Sequence, residues 1–386
     1  MDLDGAMESH PLPPAASRWP ALHDLGWDPG REVTFASHAA EGRIPARVVA
    51  SYGETWTVAT PDGDVPAFIS GRFRYDIAGP GDLPAVGDWL AVDPPDGHGG
   101  PALVQAVLDR RSAFRRYGGD RARRGSARLI DEQVLATNVD VALIVAGLDG
   151  DFDVRRIERY LAVVYSGGSR PVLVLNKADV DPVVEAHRAA AADVAPGVPI
   201  HVISARDGTG VAALAAAVLP PGTTAVVLGS SGVGKSTLAN ALLGSERQRT
   251  KDVREDDSRG RHTTTTRELL RLPGGAILID TPGIRALEVT GAADGLDDAF
   301  AEIAEAAERC RFRDCRHEGE PGCAVDAAVA EGRLAPERLA AYRKLEREAA
   351  HATRAVDPLA RAEERKKWKA IHKSVAVHMR SKYGET

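Results

Sequence analysis

Apolar and polar positions follow three different rhythms along the chain. Between residues 31 and 109 the rhythm is short and alternating, in ARVVASY, TWTVAT, VPAFIS, DWLAV and PALVQAVL. Turn residues separate the runs: Tyr52-Gly53, Pro61-Asp62-Gly63 and Pro94-Pro95-Asp96-Gly97. Such runs bounded by Gly, Pro and Asp predict short β-strands. About five of them in this space suit a small β-barrel. An OB-fold leads, and periodicity alone does not separate it from an SH3-like barrel.

From residue 131 the rhythm changes. Near-continuous apolar runs, VDVALIVAGL, PVLVLNK, PIHVISA, TTAVVLGS and AILIDTPG, alternate with helical patterns such as VRRIERYLAVVY and STLANALLG. Apolar strands between helices predict a parallel sheet covered on both faces. This α/β domain is expected over residues 131–289. Residues 290–386 read as mostly helical, with LDDAFAEIAEAAERC amphipathic. Residues 1–30 are rich in Pro, Ala and polar residues and read as a flexible leader, or else as a segment capping the next domain. Three folded domains of different class are therefore expected: barrel, α/β, then helical.

Composition changes the picture little. The chain has 386 residues, 44% hydrophobic and 27% charged, as in ordinary globular proteins. A formal net charge of -6 excludes a polycation, so any nucleic-acid surface must be local. The first residues lack the basic and apolar regions of a secretory signal. The longest apolar run, Val141 to Leu148, is far too short to span a bilayer. A cytoplasmic protein with no membrane partner is expected.

Charge is unevenly placed. Residues 110–128 read RRSAFRRYGGDRARRGSAR, within a linker expected at 110–130. Arg interleaved with Phe114 and Tyr117 suits phosphate contact with base stacking, and equally a solvated linker. Residues 361–382 surround Trp368 with Arg361, Arg365, Lys366, Lys367, Lys369, Arg380 and Lys382. A second basic and aromatic surface favours RNA contact over a plain solvated helix face.

The chemistry sits in the α/β region. Gly229-Ser230-Ser231-Gly232-Val233-Gly234-Lys235-Ser236 fits GxxxxGK[ST], followed by Thr237, between a predicted strand and a predicted helix. Glycines let backbone N–H groups wrap phosphates, and the helix N-terminus favours negative charge. Lys235 is expected at the β- and γ-phosphates, and Ser236 on Mg²⁺. Asn176-Lys177-Ala178-Asp179 ends a strand, where open α/β sheets bind ligands. The Asp179 carboxylate can accept from guanine N1–H and its exocyclic amine, which adenine does not offer. Asn176 is expected on the other side of the base and the Lys177 stem over its face. Ser204-Ala205 is the place for an N–H to guanine O6. Asp280, in Asp280-Thr281-Pro282-Gly283, is the carboxylate expected to hold Mg²⁺ through water, with the Gly283 N–H at the γ-phosphate. One of the threonines between them, Thr264 or Thr265, completes the Mg²⁺ ligands.

Order carries information too. The base-reading NKAD and SA precede the P-loop, the reverse of ordinary regulatory GTPases. The sheet survives if old termini are joined and the chain opened elsewhere, as surface connections tolerate. Where many GTPases carry a water-orienting Gln after the DxxG glycine, this chain has Ile284. Slow intrinsic hydrolysis is expected, with His262 the candidate to position water, or else an exposed loop histidine.

All three cysteines lie close together. Cys310, Cys315, His317 and Cys323 form C-x4-C-x-H-x5-C. Three thiolates and an imidazole make a closed tetrahedral set for one structural Zn²⁺.

Together, NKAD, SA, GSSGVGKST, GRHTTTT, DTPG and the cysteine pattern resemble the ribosome small-subunit-dependent GTPase A family, the YjeQ/YloQ-type circularly permuted GTPases. The resemblance covers about residues 31–380 and includes FRDCRHEGEPGCAV. It implies an OB-fold, a permuted G domain and a helical zinc domain. It implies GTP hydrolysis to GDP stimulated by the small ribosomal subunit, in late maturation of that subunit, with rRNA as partner. A monomer is expected. Two departures are the leader 1–30 and the Arg-rich segment 110–128. Two other functions stay open at this point: an RNA-binding scaffold using GTP as a structural ligand, and a GTPase serving a non-ribosomal partner.

Overall fold

The computed structural model describes residues 17–53, 55–95, 100–118, 131–244, 267–280 and 295–356. The alternating runs become β1 (Ile44–Tyr52), β2 (Thr55–Thr60), β3 (Gly63–Ile69), β4 (Trp89–Asp93) and β5 (Ala102–Val107). Their order is β1-β2-β3-β5-β4, and β4 closes back on β1 through Arg47 opposite Trp89. The β3–β5 pair is parallel, and a short helix, Gly71–Asp76, lies between β3 and β4. A closed five-stranded barrel with this crossover is the OB arrangement rather than an SH3-like one. Closure puts Val48, Val58, Leu90 and Val104 inside, each fully buried.

The leader is not flexible over its second half. Residues 20–25 form a 3₁₀ turn, and a helix, Pro29–Ala40, follows. Asp28 caps that helix by accepting from the Arg31 N–H at 3.0 Å, with Pro29 in the first turn. Leu22, Leu25 and Trp27 are buried, and the Trp27 ring meets Trp89 edge-on at 4.9 Å. Burial of four apolar side chains, Phe35 included, outweighs the local Pro and Ala content. Residues 1–16 lie outside the described residues, and the region 31–109 opens with most of a helix rather than a strand.

The Arg-rich linker also departs from expectation. Its first part is β6 (Ala113–Gly118), paired antiparallel with β7 (Asp131–Thr137). Phe114, read as a base-stacking candidate, is 1% exposed and packed in the core. Residues 119–130 lie outside the described residues.

The α/β region supplies β8 (Val141–Gly147), β9 (Arg170–Asn176), β10 (Ile200–Val202), β11 (Thr224–Leu228), β12 (Arg267–Arg271) and β13 (Ile277–Asp280). The order is β10-β9-β8-β11-β13-β12, parallel except for β12. The chain runs outward from β8 to β10, then returns to β11 and continues on the other side. That reversal between β8 and β11 is the topological switch point where such sheets bind ligands. Strand β12 also pairs with β1, through Ala50 and Glu268, so barrel and α/β sheet are one hydrogen-bonded surface.

Four helices bracket this sheet: α1 (Val154–Ser166), α2 (Val184–Val194), α3 (Val211–Val218) and α4 (Lys235–Leu243). The C-terminal part is helical as expected: α5 (Leu296–Ala299), α6 (Ala301–Ala307), α7 (Ala324–Ala330) and α8 (Pro336–Val356). No helix among the described residues is long and apolar enough to cross a membrane.

Candidate nucleotide site and metal centre

Strand β11 is apolar after Thr224 and ends at Leu228, and α4 begins at Lys235. The intervening loop turns through three glycines with positive φ: Gly229, Gly232 and Gly234. A Cβ on Gly229 would collide with the Val145 carbonyl, and one on Gly234 with the Asn176 amide. Glycine is therefore required at both, which leaves the loop's backbone N–H groups free to face a phosphate. The Lys235 ammonium reaches back over the loop and donates to the Ser230 carbonyl. Ser236 and Thr237 follow on the first turn of α4. Strands β11 and β13 are parallel neighbours, with Val226 opposite Ile279, so Asp280 emerges beside the P-loop.

The base-reading turn follows β9. Lys177 has φ of 70, a left-handed backbone rare for a non-glycine residue. Its ammonium is paired with Asp149, and Asp179 is exposed with its carboxylate toward solvent. Asn176 is tied to its neighbours through one amide N–H and its amide oxygen. It is 2% exposed, donates to the Val233 carbonyl at 2.8 Å and accepts from the Ala205 N–H at 2.9 Å. It therefore braces three motifs against one another: the base-reading turn, the P-loop and Ser204-Ala205. The two amides expected at guanine O6 are also engaged. Ser204 N–H donates to the Thr209 carbonyl at 3.0 Å, and Ala205 N–H to Asn176. The turn closes on itself here, since Gly208 N–H donates to the Ser204 carbonyl at 2.9 Å.

Two residues at this site escaped the sequence reading. Arg156, in the first turn of α1, donates to Ser230 Oγ at 2.8 Å and to Asp151 at 2.7 Å. The hydrogen bond from Arg156 holds the Asp151 carboxyl below the usual carboxylate range, and raises the arginine in return. A signal was present: Asp149-Gly150-Asp151 is an acidic turn at the carboxyl end of β8, beside the switch point. His262, Thr264, Thr265, Gly283 and Ile284 lie outside the described residues.

The four side chains of the cysteine cluster converge. Its ligand atoms all lie within 4.8 Å of one another. His317 Nδ1 is 3.6 Å from Cys310 Sγ and 3.4 Å from Cys323 Sγ, and the two sulfurs are 4.0 Å apart. Zinc bonds of about 2.3 Å to sulfur and about 2.0 Å to nitrogen imply edges of roughly 3.8 Å (S–S) and roughly 3.5 Å (S–N). The cluster fits that ion. Backbone N–H groups at the start of α7 support it, Ala324 donating to Cys310 Sγ at 3.3 Å and Asp326 to Cys323 Sγ at 3.4 Å. His317 adopts φ of 58 to turn its ring inward.

Known proteins match this arrangement. The RsgA GTPase family model matches residues 107–290. A "Small ribosomal subunit biogenesis GTPase RsgA" of Opitutus terrae is 46% identical over 360 residues, covering 91% of this chain and 96% of its own. The chain belongs to the RsgA GTPase family. It is accordingly a GTP-hydrolysing enzyme, and its motifs fall in the family's permuted order. An RsgA of Streptomyces coelicolor is 46% identical over 352 residues, covering 90% of this chain and 92% of its own. In fold, the chain is similar to YjeQ from Thermotoga maritima, with TM-score 0.57 and 24% identity over 79% of this chain and 98% of that one. YloQ, described as a circularly permuted GTPase, gives TM-score 0.56 and 20% identity over 80% of this chain and 96% of that one. The RsgA-type order thus places the P-loop after the base-reading turn in sequence while keeping both at one end of the sheet.

Proposed function

We propose that this GTPase acts in biogenesis of the small ribosomal subunit, as a cytoplasmic monomer that binds the subunit through its rRNA. The observation carrying this reading is the convergence of the P-loop, Asp179 and Asp280 at the carboxyl end of one permuted sheet, in a chain 46% identical to a small-subunit biogenesis GTPase over 91% of its length. The proposed unit order is an OB barrel to about residue 109, a G domain over 131–289 and a zinc-bearing helical unit from 290.

Within the site, backbone N–H groups of residues 229–237 cradle the phosphates of GTP or GDP, and Lys235 neutralises the β- and γ-phosphate charge. Asp179 selects guanine. Ala178 and Lys177 shape the pocket beneath the base. Ser236, Asp280 and Thr264 or Thr265 would hold Mg²⁺, which would supply charge stabilisation to the phosphates when bound. The Gly283 N–H meets the γ-phosphate. His262 positions the attacking water in place of the missing glutamine. Cys310, Cys315, His317 and Cys323 hold one structural Zn²⁺ with no open position, so it stabilises the fold and takes no part in hydrolysis.

GTP turnover by the purified protein, alone and with small ribosomal subunits, tests the reading, with ATP and Lys235→Ala as controls. The expected result is slow, GTP-specific turnover that rises sharply with the subunit and is absent in Lys235→Ala. Turnover indifferent to the subunit removes the ribosome from the account. A His262→Ala variant with unchanged basal and stimulated rates removes that residue's role. The GTP form is expected to bind the subunit more tightly than the GDP form, because the segment after Asp280 leads into the zinc unit; equal affinities overturn that ordering.

A further inference from the structure

A cavity of about 320 Å³ lies at the amino ends of β8 and β11, at the opposite end of the sheet from the P-loop. It sits where the N-terminal segment, the barrel and the G domain meet, and its volume is within the range of small-ligand sites. Arg31 enters from the N-terminal helix, Arg47 from β1 and Arg111 from the stretch before β6. Arg47 is 1% exposed and Arg31 5% exposed.

Neither buried guanidinium touches a carboxylate. Arg47 donates to the carbonyls of Leu25, Gly87 and Asn138 and, at 2.9 Å, to Thr224 Oγ1. Arg31 Nη2 donates to Asn138 Oδ1 at 2.9 Å, while its buried Nε has no partner among the described residues. Both guanidiniums lie against the same ring, 5.6 Å and 5.4 Å from the Trp89 centroid. The nearby acids are committed elsewhere. Asp28 is paired with Arg111 at 2.9 Å, Asp140 accepts from the Thr224 N–H at 2.7 Å, and buried Asp88, outside the cavity wall, is bound by Arg110 at 2.8 Å. Burial, and then repulsion from the neighbouring arginine, lowers Arg47 to about 9 and Arg31 to about 10.

Buried charges are ordinarily paired, because an uncompensated one is costly. Three guanidiniums face two carboxylates here, and an N–H donor is left over. We propose that this cavity is a second ligand site, which binds a small phosphate-type oxyanion, free or as the monoester of a small polyol. Charge-assisted bonds from Arg31 and Arg111 would hold the phosphate. Trp89 is already faced by arginines, which argues against a stacked nucleobase. An occupant touches all three parts of the molecule, and β11 runs straight from Thr224 to the P-loop, so binding stiffens the joint between barrel and G domain.

The test uses the full-length protein saturated with Mg·GDP, so that the P-loop is filled. Inorganic phosphate and ribose 5-phosphate are added against chloride at matched ionic strength, followed by calorimetric titration and thermal unfolding. Saturating probe is expected to raise Tm by about 3 °C or more beyond chloride. Arg31→Gln, which keeps a donor to Asn138, is expected to weaken binding at least tenfold while matching or exceeding the parent's Tm without probe. Arg111→Gln, at a more exposed position, serves should Arg31→Gln fail to fold, with the same expected loss. No shift beyond chloride with either probe overturns the proposal. So does an undiminished shift in both arginine variants, or one lost in Lys235→Ala and kept in Arg31→Gln, which assigns the anion to the P-loop.

Discussion

One buried arginine ties the G domain to the helical unit, and its removal can be worked through. Arg338, near the start of α8, is 7% exposed. It donates to Glu158 of α1 at 2.7 Å, to Glu302 of α6 at 2.5 Å and to the Ala299 carbonyl at 2.7 Å, with its guanidinium 4.2 Å from the Phe300 centroid. Glu158 is fully buried and, among the described residues, otherwise accepts only from Arg155 at 3.0 Å. Arg338→Met keeps the apolar stem but leaves the Glu158 carboxylate dependent on one partly exposed arginine. Removing one partner of a buried pair costs about 3–5 kcal/mol. Replacing both by apolar residues is far gentler, so Glu158→Leu with Arg338→Met should recover at least ~2 kcal/mol relative to the sum of the single changes. Helix α1 carries its own control. Arg159 pairs with Glu348 at 2.9 Å with both side chains more than a third exposed, and Arg159→Met should cost at most ~1 kcal/mol. Urea unfolding followed by far-UV circular dichroism, at fixed zinc and Mg·GDP, reads all four proteins. Additivity within ~0.5 kcal/mol, or an Arg338→Met cost no larger than that of Arg159→Met, would refute the reasoning.

Chelation of zinc, or Cys310→Ser, should unfold the helical unit and lower helical dichroism while changing Mg·GDP affinity by less than about threefold, since structural zinc contributes folding energy directly. Asp179→Asn should weaken GTP binding roughly 100-fold in equilibrium titration through loss of charge-assisted bonds to guanine, with the Tm of the free protein unchanged. Gly234→Ala should abolish GDP binding in the same titration, because its Cβ falls on the Asn176 amide and the P-loop must move; retained affinity would show that the loop yields.

What could be read from the letters divides along physical lines. Phosphate and guanine chemistry admits few residue types, so the P-loop, Asp179, Asp280 and the cysteine set stood out before any fold was known. Strand runs were legible as well, but alternation names strands and not their partners. The parallel β3–β5 pair and the β1–β12 seam follow from closure and docking that no local pattern encodes. Buried charges gave no signal. Nothing in the local pattern marks Arg47, Glu158 and Arg338, yet each is buried where parts of the molecule join. The leader misled, since Leu22, Leu25 and Trp27 sit in a Pro- and Ala-rich stretch and only tertiary contact gives them a core.

Permutation changes how the nucleotide site can be felt elsewhere. In this chain order β13 ends at Asp280, and residues 281–294, outside the described residues, link it to α5, so the Asp280 side of the site is covalently continuous with the helical unit. The structure adds a second connection through space. Helix α1 holds the P-loop at its first turn, through Arg156 and Ser230, and holds α8 two residues later, through Glu158 and Arg338. It also presses against the start of α5, where a Cβ on Gly295 would collide with the Ala162 carbonyl and the Ser166 amide. Any shift of the P-loop that displaces Ser230 therefore acts on the same rigid helix that carries the helical unit. Two connections converging on one helix constrain the unit more tightly than either alone.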